Sequence, residues 1–209
     1  MTVKIQRFFH FNEQLEHRVG FDELIMSQKA LYLPSMNNLI KDLSEWGFRY
    51  SGDTNNDSKA YTDVSKKMIF IGKDKTDNEA VLSLMYEMTN ATNSLKIEKI
   101  HSQYLSDVEP NRERAIGYAK DILNVEANAV FNRSIIAISL GLESLVKNKK
   151  YVEIVKANAE DSAKAISEIY LEMVENGTVH NGKKKALDHY SAQYFEYNKN
   201  KKSPLKINL

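Results

Sequence analysis

Glu87 and Glu126 lie in segments whose spacing predicts two separate helices, and each has good hydrogen-bonding residues beside it. Tyr86 and Asn90 fall within a turn of Glu87, and Asn128 within a turn of Glu126. If the two helices pack together, the carboxylates face each other in a cleft, with Tyr86, Asn90 and Asn128 as hydrogen-bond partners. Two carboxyl groups whose surroundings separate their pKa values can serve as acid and base, as in glycoside hydrolysis. Their separation decides between a nucleophile and a water-activating geometry. On this reading Glu87 and Glu126 are catalytic and Tyr86, Asn90 and Asn128 bind the ligand. The plain alternative is structural: Glu is an ordinary residue on a helix surface, and an exposed pair would mean nothing.

Specific elements must hold these residues. Ala60–Val64 and Lys67–Ile71 read as two short strands, with Ser65 and Lys66 suited to the turn of a hairpin. Met68, Ile69, Phe70 and Ile71 make the second strand the stronger one. Thr76 and Glu79 form a capping box, in which hydroxyl and carboxylate each satisfy an orphan backbone N–H. The helix that follows, 77–94, puts Val81, Leu84, Met85 and Met88 on one face and Tyr86, Glu87 and Asn90 near its middle. A second helix starts near Pro110 and carries Ile116, Ala119, Ile122, Leu123, Ala127 and Val130, reaching toward Val146. A third is predicted from Tyr151 to Glu175, with Gly177 as its stop signal. Upstream, 12–31 reads as helical from an N-cap at Asn12 to Pro34, and Ser35 caps a short helix ending at Gly47. Ser51–Lys59 reads as an exposed loop. After Asn181-Gly182 comes an aromatic patch of Tyr190, Tyr194, Phe195 and Tyr197, read as core or a docking surface.

The segment Leu84-Met85-Tyr86-Glu87-Met88-Thr89-Asn90-Ala91 resembles the active-site helix of zinc metallopeptidases. There two His four residues apart bind zinc from one helical face, in the pattern His-Glu-x-x-His, and the Glu activates the metal-bound water. Glu87 matches that Glu, while Tyr86 and Asn90 stand at the two His positions. Met68–Ile71 corresponds to the edge strand that precedes the helix in many small members of the class. Val125-Glu126-Ala127-Asn128-Ala129 is similar to the later helix whose Glu-Ala step supplies the third ligand. Residues 60–135 therefore resemble a minimal gluzincin-like metallopeptidase domain, of a kind found among bacterial effectors and toxins. The resemblance implies an α+β fold in which a small β-hairpin or edge strand packs beside a central helix. It also implies a hydrolase, if the chain is an enzyme. A phenol with a pKa of about 10 and an amide oxygen are poor zinc ligands beside neutral imidazole. The expectation is a degraded metal site with no metal and no cofactor, acting by binding a protein partner or ligand. His101, His180 and His189 are isolated and read as surface or capping residues rather than ligands.

Composition narrows the remaining classes. The 209 residues fit one domain: a helical region and loop over 1–59, the metallopeptidase-like core over 60–146, a helical region over 147–198 and a loose tail over 199–209. Only 8 Gly and 3 Pro leave too few tight turns for a sandwich or barrel, so the fold is read as predominantly α-helical. A net charge of +1 supplies no field for nucleic acid. Zero cysteines exclude disulfides, thiolate metal sites and thiol nucleophiles. No apolar run approaches the ~18 residues of a membrane span, and the first residues carry no secretory signal pattern. The expected location is cytoplasmic, or exported without an N-terminal signal peptide. There is no Gly-rich phosphate loop, no G-x-S-x-G elbow and no EF-hand spacing.

Overall fold

The computed structural model describes residues 39, 42–43, 45–51, 60–72, 75–105, 109–179 and 182–199. The helix expected over 12–31 and the tail beyond residue 199 lie outside them. The described chain is predominantly helical with short strands, and it divides into two compact units. Among the described residues the first holds those up to Thr92 together with Asn132–Val152, and the second holds Asn93–Phe131 and 153–199.

In the first unit a helical turn ends at Gly47, whose left-handed backbone (φ +78°) lets the Phe48 N–H close back on the Leu43 carbonyl at 2.9 Å. Strands β1 (Arg49–Ser51), β2 (Ala60–Asp63) and β3 (Met68–Ile71) then form a sheet in the order β1-β3-β2. The expected hairpin is present: β2 runs antiparallel to β3, with Thr62 opposite Ile69 and Tyr61 opposite Phe70. Its turn is closed by Asp63, which accepts from the Ser65 hydroxyl and the Lys66 N–H. Met68–Ile71 is the middle strand, not the edge, because β1 pairs parallel to its other side. That pairing also places Ser51 in a strand where a loop was expected.

Alternation along the hairpin puts Thr62, Ile69 and Ile71 on the buried face and stacks the Tyr61 and Phe70 rings, 4.7 Å apart, on the other. Helix α1 (Asp77–Thr92) packs on the sheet and begins with the expected capping box. Glu79 accepts from the Thr76 N–H at 3.0 Å, and the Glu79 N–H reaches the Thr76 hydroxyl at 3.4 Å. Its face of Val81, Leu84, Met85 and Met88 is fully buried in a core shared with Ile69, Ile71, Ile136 and Ala137.

Helix α2 (Ser94–Tyr104) follows, and then α3 (Arg112–Leu140), the long helix anticipated from Pro110. It stops at Gly141 (φ +70°), where the Leu142 N–H reaches the Ala137 carbonyl and the Gly141 N–H that of Ile138. A short 3₁₀ turn, Glu143–Leu145, continues toward Val146. The single helix expected over 151–175 is two helices, α4 (Lys149–Ala157) and α5 (Ser162–Glu175). Asp161 starts the second by accepting from the Lys164 N–H at 2.9 Å. Gly177 closes α5 as expected, bonding the Met173 carbonyl in a position where a Cβ would strike that same carbonyl. Strands β4 (Thr178–Val179) and β5 (Lys184–Lys185) pair antiparallel and lead into α6 (Ala186–Lys199). The aromatic patch is largely interior: Tyr190 and Tyr194 are buried within the second unit. Among the described residues no helix is long and apolar enough to cross a membrane.

Candidate functional site

Glu87 stands three residues after Leu84 on α1, so it shares the inward side of the helix and is only 3 % exposed. A carboxylate in that position needs donors. The Thr62 hydroxyl, brought to the buried face of β2 by strand alternation, lies 2.9 Å from Glu87 Oε2 and 3.1 Å from its carbonyl. Tyr86, partly buried, lies under the Arg133 guanidinium, 5.2 Å from the ring centroid. Lys75, on the loop ahead of α1, is half-buried. Loss of solvent pushes its ammonium below the ordinary amine range, opposed by Glu79 and reinforced by the charges of Lys147 and Arg133. Asn132 on α3 donates to the Thr89 hydroxyl at 3.1 Å, which itself bonds the Met85 carbonyl. Asn90 is 1 % exposed, and neither its amide nitrogen nor its amide oxygen has a hydrogen-bond partner among the described residues.

Glu126 belongs to the second unit. It is 4 % exposed, and the Tyr190 hydroxyl of α6 donates to its Oε1 at 2.5 Å. Asn128 turns back on its own helix, donating to the Asn124 carbonyl one turn earlier at 3.2 Å. His101 is not the surface or capping residue expected from its isolation. It is 6 % exposed, its Nε2 is 3.1 Å from the Tyr118 hydroxyl, and its ring lies between those of Tyr118 and Tyr197. Burial pushes the imidazole below its ordinary range. Burial, and then the charges of Tyr197 and Glu126, push the Tyr118 phenol well above its own. His189 pairs with Gln193, and His180 lies outside the described residues.

The structure thus places Tyr86, Glu87 and Asn90 together on one helix of the first unit, and Glu126 and Asn128 in the second. Neither glutamate is the exposed residue of the plain structural reading, since each is buried and bonded to a hydroxyl of its own unit. Glu87 is bonded to the Thr62 hydroxyl and feels the Lys75 charge, while its helix neighbour Tyr86 lies under Arg133 and Asn90 follows one turn on. Among the described residues no group of three or more His, Cys, Asp and Glu could hold a metal ion. The sequence reading did not assign Thr62, Arg133, Tyr190 or Tyr118 to either glutamate. Strand alternation could have marked Thr62 as inward-facing, but no local signal pairs Arg133 with Tyr86 or Tyr190 with Glu126. No family model, no curated protein and no solved structure matches the chain.

Proposed function

We propose that the chain is a metallopeptidase-like binding protein with a degraded metal site, whose α1 face recognises a peptide group of a protein partner. The observation that carries this reading is Asn90. A carboxamide buried with both atoms unpaired is costly, and it presents N–H donors and a carbonyl acceptor side by side. A peptide group, with its own N–H and C=O, is the matching counterpart, and it reaches the amide only when the side chains over Asn90 move aside. Asn90 lies one helical turn beyond Glu87, and both are buried. Tyr86, which lies under Arg133, and Lys75 are only partly buried. A short strand, a loop and a capped helix bearing Glu87 keep the element order of the peptidase resemblance. Tyr86 and Asn90 in place of imidazoles favour hydrogen bonding over metal chemistry.

The test is a selection of short peptides on the wild-type chain, with affinities measured by fluorescence anisotropy. Asn90→Leu keeps the side-chain size and removes the amide. It should weaken the selected peptides by roughly tenfold or more, the worth of one to two buried hydrogen bonds. Peptides that bind the variant equally well would sink the reading. So would peptides cleaved by the wild-type chain but not by Glu87→Gln, which would favour a hydrolase.

A further inference from the structure

Two cations of the first unit lack the counter-charge that their surroundings call for. Asn132 ties α3 to α1 through Thr89, and the next residue, Arg133, lays its guanidinium over the Tyr86 ring at 5.2 Å. Arg133 is partly buried, and its Nε has neither solvent contact nor a hydrogen-bond partner among the described residues. Its terminal nitrogens also meet no acceptor there, but they keep contact with solvent. Arg114, the other arginine seated on a tyrosine, differs: its Nη2 donates to the Gln103 and Tyr104 carbonyls. Lys75 is the second cation, partly buried on the loop ahead of α1 and near enough to Arg133 and Lys147 to feel their charges. The carboxylates it feels are engaged elsewhere, since Glu79 closes the Thr76 capping box and Glu87 accepts from Thr62. Cations half withdrawn from water and left to repel one another cost stability, and an anion placed beside them offsets that cost.

We infer that Arg133 and Lys75 take a carboxylate of the peptide that the α1 face recognises, an inference that rests on the peptide reading of Asn90. The terminal nitrogens of Arg133 match the paired oxygens of a carboxylate, and Lys75 adds a point charge. No internal cavity is needed, because the carboxylate arrives from the solvent that Arg133 already touches. Helix α1 sets the spacing of the two contacts. Tyr86, beneath Arg133, and Asn90 are four residues apart in the sequence, hence about 6 Å apart along the helix. An extended peptide advances about 3.3 Å per residue, so its acid stands roughly two residues from the peptide group that Asn90 engages.

Peptides are selected on the full wild-type chain from two random libraries, one with amidated and one with free C-termini. Enrichment of Asp or Glu in the amidated pool assigns the carboxylate to a side chain, and binders confined to the free pool assign it to the chain end. Replacing the carboxylate by its amide should weaken binding to the wild type by roughly tenfold or more, about the strength of a charge-assisted pair. The same replacement should change little on Arg133→Gln. Because that variant also loses the Tyr86 contact, its melting curve is recorded alongside, and the peptide-side replacement gives the test on the unaltered chain. N-methylation of each peptide bond in turn locates the one bound by Asn90, and the acid should fall about two residues away. Binders that depend on Asn90 but show no preference for a carboxylate would overturn this inference and leave the peptide reading standing. So would a carboxylate whose removal costs the same on the wild type and on Arg133→Gln. Carboxylate-dependent binders that fail on Arg133→Gln yet ignore Asn90→Leu would keep this site and remove Asn90 from the reading. If neither library yields a binder, both fall.

Discussion

Thr62→Val removes the hydroxyl that reaches Glu87 while keeping the β-branched shape that suits strand β2. Both residues are buried, so water does not readily replace the lost donor. A side-chain hydrogen bond contributes about 0.5–1.5 kcal/mol, and about 1.5–3 kcal/mol where its acceptor is ionised. A loss of about 2 kcal/mol lowers Tm by roughly 4–8 °C in a chain of this size. Glu87→Gln provides the second arm. If the Thr62 bond draws its strength from the carboxylate, Thr62→Val should cost much less in the Glu87→Gln background, with a coupling of about 1 kcal/mol or more. Urea denaturation of the wild type, both single variants and the double variant closes the cycle at one pH. Additive effects, or a Thr62→Val cost below about 0.5 kcal/mol, would show that the hydroxyl does not support the carboxylate.

Burial holds His101 below its ordinary pKa of 6.5, and Tyr118 and Tyr197 are the titratable groups facing it. The folded chain therefore binds fewer protons than the unfolded one as pH drops through that value. Stability linked to this group is intact above about pH 7 and declines toward about pH 5. His101→Gln should flatten that slope in urea midpoints taken across the range, and an unchanged slope would count against it. At Gly117 an added Cβ would lie 2.9 Å from the Tyr104 hydroxyl oxygen and 3.1 Å from its ring. Arg114 holds that ring in place, 5.7 Å from its centroid, so Gly117→Ala should lower the melting temperature. In a Tyr104→Ala background the same change should stabilise by about 1 kcal/mol, the ordinary helix preference of Ala over Gly. Equal signs in the two backgrounds would rule out the ring as the cause.

Features encoded by near neighbours were legible in the sequence. The Thr76–Glu79 box, the β2–β3 hairpin and the apolar face of α1 each rest on residues a few positions apart, where spacing alone specifies the bond or the burial. The break between α4 and α5 leaves little mark in the sequence because apolar spacing runs on through Asn158–Asp161, and Asp161 has no Glu three residues later to complete a capping box. Strand β1 is three residues long and pairs parallel with a strand that is not its neighbour in sequence, so no turn announces it. The site followed the same division. Tyr86, Glu87 and Asn90 could be placed on one helix from their spacing. Their burial depends on Thr62 and on α3, which only the folded chain brings near. His101 illustrates this most plainly, since nothing beside it in the sequence forecasts the Tyr118 hydroxyl that shelters it.

Strand β3 separates β1 from β2 in space yet is translated after both. As the chain emerges, its two outer strands have no ladder to join, and their backbone amides and carbonyls remain open to water or to other chains. Hairpin closure through the tight turn at Asp63–Lys67 is the quick step. Recruitment of β1 must wait for it and close a longer loop. A nascent chain whose β2 has left the ribosome while β3 is still inside the exit tunnel therefore holds out two unpaired edges, the stage at which this protein is most exposed to misassembly.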